Sequence, residues 1–276
     1  MIKIVIVIKA NGDRVEFSES RLLRSLIRAG AEKETAKNIL LKIKPHIKDL
    51  ITTKIIYNLA FKELRKVDSP TASRYESRWA IIRLGRGQQG FSFEQFISRL
   101  FERMGYKVKL NQLVQGKSIN HEVDVIAEKD DERIMIECKH KSKPGIWINV
   151  QTPLYVYARF LDLEGEFSRP GLITNSRFSR QSEIYGESVN MFLLGWNYPK
   201  QNNLRDLVDK HALYPITVLR SIDNGDLSKL LFRNIVVVAD ILETPQNILA
   251  RVLGKDKALK IIEEAKKTAK YKISKE

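Results

Sequence analysis

The sequence predicts a multi-domain α/β protein in three parts. These are an N-terminal β-hairpin backed by helices (1–87), a central unit ordered helix, three strands, helix, strand (88–201), and a small helical C-terminal region (202–276). Three observations carry that prediction. Strand-like runs flank the Asn11-Gly12 turn from Lys3 to Phe17, and apolar residues alternate with period two at Val123 to Ala127 and again at Ile134 to Cys138. The segments around them place apolar residues at helical spacing instead. Gly85, Gly87 and Gly90, with polar residues between them, read as a linker after the first helical group. At 276 residues the chain can bury two or three cores.

In the first part, Lys3 to Lys9 reads as a strand, Asn11-Gly12 as a tight turn and Arg14 to Phe17 as the return strand. Ser18 or Ser20 caps the helix RLLRSLIRAG, which ends at Gly30. Helical patterns follow at Glu32 to Ile43, Thr52 to Val67 and Ser69 to Leu84. The last has Ser69 as its cap and Pro70 at its first helical position.

In the central part, Ser92 opens a helix with Phe93, Phe96, Ile97, Leu100 and Phe101 on one apolar stripe and Glu94 off it. Gly105 ends this helix and a strand begins at Tyr106. Val123, Val125 and Ala127 then alternate, Lys129 to Glu132 interrupt, and Ile134, Ile136 and Cys138 alternate again, which is a β-hairpin with no Asn-Gly or Asp-Gly to fix its turn type. A helix from Asn149 to Leu163, a strand from Gly171 to Asn175, a helix from Arg177 to Val189 and a strand from Met191 to Leu194 complete the unit.

The hairpin register places chemistry. With the turn centred between Asp130 and Asp131, Asp124 faces Glu137, their Cβ atoms about 4.5–5.5 Å apart. Lys139, two residues on, points to the same face, whereas Cys138 points away and reads as core packing. Facing carboxylates repel unless positive charge lies between them, and Mg²⁺ suits their hard oxygens. His121 and Glu122 sit at the strand entrance on opposite faces. A second Glu-x-Lys, Glu264-Ala265-Lys266, lies in an amphipathic helix and reads as a solvated face.

The C-terminal region reads as helices at Leu204 to Leu213, Asp226 to Phe232, Val236 to Leu242, Thr244 to Leu253 and Lys255 to Lys270, with Thr244-Pro245 as another cap. It ends in the lysine-rich KKTAKYKISKE.

The net charge of +15 suits a polyanionic partner. No apolar run is long enough to span a membrane, and the opening MIKIVIVIKANG lacks the features of a signal peptide, so a cytoplasmic protein with no membrane partner is expected. The single cysteine excludes an internal disulfide framework and a cysteine-based zinc site. No Walker-type glycine loop is present.

Asp124 followed by Glu137-Cys138-Lys139 resembles the active site of the PD-(D/E)xK nucleases, and the element order around it is most similar to Mrr-type restriction endonucleases. That resemblance implies a restriction-endonuclease-like αβββαβ core acting on DNA. Asp124, Glu137 and the Cys138 carbonyl would be ligands to Mg²⁺ or Mn²⁺, and Lys139 would stabilise charge or orient water. Glu94 would join the first or second metal shell, and Gln151 would position water or substrate. Lys141, Lys143, Arg177 and Arg180 are candidate phosphate contacts.

The stretches VIKANGDRVEFSESRLLRSLIRAG and SRYESRWAIIRLG resemble the ATP-cone, the nucleotide-sensing domain of ribonucleotide reductases and of their transcriptional repressor. This implies that Lys9, Glu16 and Arg21 hold an adenine nucleotide, ATP or dATP. The chain departs from the family at Ala10, where a second basic residue is usual, and at Arg21, where lysine is usual. The piece ETPQNILARVLGKDKALKIIEEAKK resembles a helix-hairpin-helix with one hairpin glycine, Gly254, and reads equally as a packing bundle or dimer arm.

The expectation is a metal-dependent DNA endonuclease, gated by adenine nucleotide and a candidate homodimer. The alternative is a nucleotide-responsive DNA-binding regulator whose nuclease fold no longer cuts. A nuclease for RNA or branched DNA is a third reading.

Overall fold

The computed structural model describes residues 4–10, 12–85 and 91–269. Asn11, Gly87, Gly90 and the end of the lysine-rich tail (270–276) lie outside the described residues.

The N-terminal part begins with β1 (Ile6–Ile8), β2 (Arg14–Glu16), α1 (Glu19–Arg28) and α2 (Lys33–Ile43). It continues with β3 (Ile51–Thr52), α3 (Thr53–Val67), α4 (Ser69–Tyr75) and α5 (Ser77–Leu84). β1 and β2 pair antiparallel as expected, and β3, which the sequence reading missed, joins β1 in parallel. At two residues, β3 is too short for a period-two signal, so tertiary pairing decides it. Ser18, not Ser20, caps α1, accepting from the Arg21 N–H at 3.3 Å. The helix closes with Ala31 N–H on Leu26 O and Gly30 N–H on Ile27 O, and Gly30 takes φ 103°. That pairing needs the left-handed residue that glycine supplies.

The expected helix from Ser69 to Leu84 is two helices, broken at Glu76. Its cap is Asp68, which accepts from the Thr71 N–H at 3.0 Å, so Ser69 is already helical. A carboxylate one residue earlier serves the same exposed donors.

The central part contains α6 (Ser92–Arg103), β4 (Lys107–Gln115), β5 (Asn120–Lys129) and β6 (Glu132–Lys139). After β7 (Trp147–Ile148) come α7 (Gln151–Asp162), β8 (Arg169–Thr174), β9 (Arg177–Phe178), α8 (Arg180–Ser188) and β10 (Phe192–Leu194). Five strands form one sheet in the order β10-β8-β6-β5-β4. β4, β5 and β6 run as an antiparallel meander, and β8 and β10 add in parallel. Arg177 and Phe178, expected to open a helix, instead pair with β7 in a separate two-stranded ribbon.

The sheet separates two apolar layers. Val125, Ala127, Ile134, Ile136 and Cys138 face the α6 stripe of Phe93, Phe96, Ile97, Leu100 and Phe101. Each α6 side chain is essentially fully buried, worth about 1.5–3 kcal/mol apiece. Ile126, Met135 and Leu172 pack on the other side with Val156 of α7.

The C-terminal helices are α9 (Leu204–Lys210), α10 (Asn224–Phe232), α11 (Val238–Glu243), α12 (Gln246–Leu253) and α13 (Lys255–Ala269). They pack into the same core as α6 and the sheet. Pro245 stands at the cap of α12 rather than at its first helical position, and Thr244 ends α11. Glu264 is not a plain solvated side chain: its carboxylate accepts the N–H groups of Arg220 at 2.8 Å and Ser221 at 3.0 Å. Among the described residues no helix is long and apolar enough to cross a membrane.

Candidate active site and nucleotide cavity

The hairpin has the register that alternation implied. Its ladder runs from Lys129↔Glu132 to Val125↔Ile136, with Asp130 at φ 51° in a two-residue turn. Beyond the last pair, Asp124 Oδ2 accepts the Cys138 N–H at 2.7 Å. Strand parity therefore sends Asp124 and Glu137 towards α7 and leaves Cys138 in the opposite core, where burial raises its thiol pKa well above normal.

Glu137 is buried between two cations. Lys139 Nζ donates to its Oε1 at 2.5 Å, and Arg159 Nη1 donates to its Oε2. Arg159 was not anticipated from the sequence. It is buried, stands on α7 with its other nitrogen on the Glu122 carbonyl, and lies on the helix face of Pro153 and Val156. Its signal was an arginine at three-residue spacing on an apolar stripe, since such a charge must find a buried partner.

The acids perturb one another. Burial, with the charge of Glu137 added, pushes Asp124 up to about 6 against the opposing Cys138 N–H. Burial pushes Glu94 up to about 7, and the charges of Asp124 and Glu137 add to it. Burial alone would lower Lys139, but its hydrogen bond to Glu137 and the charges of Glu137 and Asp124 outweigh that and raise it above the ordinary lysine value. The lysine therefore stays protonated at neutral pH.

The structure thus brings Glu94, Asp124, Glu137, Cys138 and Lys139 together. Gln151 is exposed at the start of α7, and its side chain pairs with Asn149 at 3.4 Å rather than with that group. His121 is placed elsewhere, with Nε2 on Asp162 Oδ2 at 2.8 Å. Asp162 also takes the Ser118 N–H at 2.9 Å, and its hydrogen bonds hold its pKa down to about 2. Glu122 is exposed.

The strand behind the site fixes the chain after Lys139. Thr174 Oγ1 donates to the Lys139 carbonyl at 2.6 Å, and the Asn175 amide exchanges hydrogen bonds with the Lys141 backbone at 2.7 and 3.0 Å. On the other side, His140 Nε2 meets the Ile81 carbonyl of α5 at 3.1 Å. Gly85, read as a linker residue, is a close approach: a Cβ there would lie 2.2 Å from His140 Cε1.

Among the described residues no three or more His, Cys, Asp or Glu side chains are grouped tightly enough to hold one ion. Asp124 and Glu137 supply two hard oxygen donors, which fits an ion that keeps water in its shell. Glu94 Oε2 is buried without a hydrogen-bond partner among the described residues, an oxygen a hydrated cation would satisfy.

Lys9, Glu16 and Arg21 line one cavity of about 380 Å³. Tyr57 and Tyr75 stack in its wall, ring centroids 4.9 Å apart. Lys9 Nζ lies 3.5 Å from Asp13 Oδ2. Ala10, the family departure, lines an adjoining cavity with Lys9.

A carboxylate pair and lysine on such a sheet, joined to a small strand-and-helix domain that lines a basic cavity, define a restriction-endonuclease-like fold with a second, N-terminal module. Comparison with known proteins agrees. The restriction endonuclease family of Mrr catalytic domains matches residues 86–195, the ATP-cone domain matches 5–83, and an AF1548-like C-terminal family matches 214–268. An uncharacterised protein of Archaeoglobus fulgidus is 39% identical over 173 residues, spanning 62% of this chain and 98% of that protein. The chain belongs to the same family as that archaeal protein, and it joins an ATP-cone to an Mrr-type restriction-endonuclease domain. The crystal structure of AF1548, a protein of unknown function, is 37% identical with a TM-score of 0.59, covering 64% of this chain and 96% of that one. The MspJI restriction endonuclease, solved with a 27-mer oligonucleotide, is more distant: 18% identity, 60% of this chain, 36% of that one and a TM-score of 0.36.

Proposed function

We propose that this chain is a divalent-metal-dependent endodeoxyribonuclease whose ATP-cone binds ATP or dATP and gates cleavage. The observation that carries this reading is the meeting of Glu94, Asp124 and Glu137 with a protonated Lys139, inside a segment matched by a restriction endonuclease family. Mg²⁺ or Mn²⁺ held by Asp124, Glu137 and the Cys138 carbonyl would draw charge from the phosphoryl oxygens and lower the pKa of the attacking water.

The chain's own residues do the rest. Lys139 donates from Nζ to a non-bridging phosphoryl oxygen as negative charge builds there. Arg159 holds the Glu137 carboxylate in one orientation. Glu94, with its pKa near neutrality, can hold the attacking water and take its proton. Gln151 and the exposed cations Arg177 and Arg180 meet the sugar-phosphate backbone of the substrate. In the cone, Lys9 and Arg21 take phosphates and Glu16 accepts from the base or ribose.

The functional division we propose is 1–87 for sensing, 88–201 for cleavage and 202–276 for DNA binding or dimerisation, in a cytoplasmic protein. The charge of +15 supports a nucleic-acid partner, with binding that weakens steeply as salt rises.

One observation favours a second reading, a nucleotide-responsive DNA-binding regulator that does not cut. Both Glu137 oxygens already carry cationic partners, Lys139 and Arg159. Supercoiled plasmid, with Mg²⁺ or Mn²⁺ and with or without ATP or dATP, separates the two. The nuclease reading expects nicking or linearisation that Asp124→Ala and Lys139→Ala both abolish. Binding without cleavage of any DNA favours the regulator.

A further inference from the structure

The cavity that holds Lys9, Glu16 and Arg21 is not made by the cone alone. Its wall is completed by Trp196, just past β10, and by Arg205 and Asp209 of α9. Six basic side chains line it: Lys9, Arg21, Arg28, Arg74, Arg78 and Arg205. Among the described residues Glu16 and Asp209 are the acids in the lining.

Arg74 is structural, since its guanidinium donates to the Ala29 carbonyl at 2.8 Å and to Thr71. Arg78 and Arg205 make no such bond to a backbone carbonyl among the described residues. The Nε of each is buried with no hydrogen-bond partner among the described residues. Among the described residues Arg205 has an ion pair to its neighbour Asp206, at 3.5 Å, and Arg78 lies over the Trp196 ring at 5.9 Å. Burial and the nearby charges of Arg177 and Arg205 lower Arg78 to about 10. Burial and the charge of Arg28 lower Arg205, partly offset by Asp206 and Asp209. Cations crowded into one wall with unused N–H groups call for a multiply charged anion.

We propose that a nucleoside triphosphate in the cone is gripped partly from outside the cone. Arg205 of α9 and Arg78 at the head of α5 take its terminal phosphates, and the ligand thereby ties the cone to the segment leaving the last strand of the nuclease sheet. The inference rests on the reading that the cone binds adenine nucleotide, and it adds the residues that read phosphate number. It also gives gating a physical route. α5 carries both Arg78 and Ile81, and the Ile81 carbonyl holds His140, the residue after Lys139. Pro144, in the loop beyond, lines the adjoining cavity with Lys9, Tyr57 and Arg78.

The test is titration calorimetry of the full chain with ATP, AMP and inorganic triphosphate, in wild type, Arg205→Ala and Arg205→Lys. Circular dichroism confirms that each variant is folded. Wild type should bind ATP more tightly than AMP. Arg205→Ala should weaken ATP by about tenfold or more, leave AMP unchanged and remove binding of inorganic triphosphate. Arg205→Lys should recover part of the loss, because it keeps the charge without the fork. If Arg205→Ala binds ATP as wild type does while Lys9→Ala and Glu16→Ala bind it weakly, the cone binds nucleotide but the bridge is wrong. If wild type binds neither ATP nor AMP, the cone reading and the bridge fall together.

Discussion

Asp124→Asn should make the metal-free protein more stable at pH 8, although it removes a hydrogen-bonded charge. The folded protein holds Asp124 at about 6 against an ordinary 3.8, chiefly through burial and then through Glu137. A group whose pKa is raised by folding binds more protons folded than unfolded across that interval, so stability falls as pH rises from about 4 to about 6. Above pH 6 the whole penalty is present. The rise from 3.8 to about 6 corresponds to about 3 kcal/mol, reduced to about 1–2 kcal/mol for the solvent that reaches a partly buried carboxylate. Asparagine keeps an oxygen for the Cys138 N–H and has no charge to repel Glu137. Urea unfolding in EDTA at pH 4, 6 and 8 measures the difference directly. The variant should gain about 1–2 kcal/mol at pH 8 and nothing at pH 4. Added Mg²⁺ should stabilise wild type but not the variant. A variant less stable than wild type at pH 8, or a difference independent of pH, would mean that the Asp124 charge does not load the fold.

Three further outcomes are expected. Arg159→Ala leaves the buried Glu137 with Lys139 alone and should cost about 3 kcal/mol in urea unfolding at pH 7. Gly85→Ala must displace His140, so it should lower stability by about 1–3 kcal/mol and slow cleavage, both read on the same preparation. Cleavage rates should rise between pH 5 and 8 as Asp124 and Glu94 lose protons, a profile from steady-state rates at constant ionic strength.

Much of the site was legible because the sheet has period two. Once Asp130 and Asp131 are placed at the turn, alternation alone fixes which side chains share a face, and the observed pairs keep that register. The α6 stripe was legible for the same reason at helical spacing. What escaped depends on contacts distant in sequence. Arg159 became a site residue only when α7 packed across β6, and a two-residue strand such as β3 has no pattern of its own. Gly85 looked like linker punctuation because the ring it accommodates lies 55 positions further along, at His140. The shared wall of the cone cavity could not be read at all, since Arg205 follows Arg21 by most of the chain.

Glu137, held between Lys139 and Arg159, is proposed to serve phosphodiester hydrolysis. Single-turnover cleavage of end-labelled duplex DNA in Mg²⁺ tests it most directly, comparing wild type with Glu137→Gln. Glutamine keeps the shape and loses the charge. Wild type should give discrete shorter strands, and the variant a rate lower by about 10³-fold or more. Equal rates in the two proteins, or intact DNA with folded wild type, would contradict it.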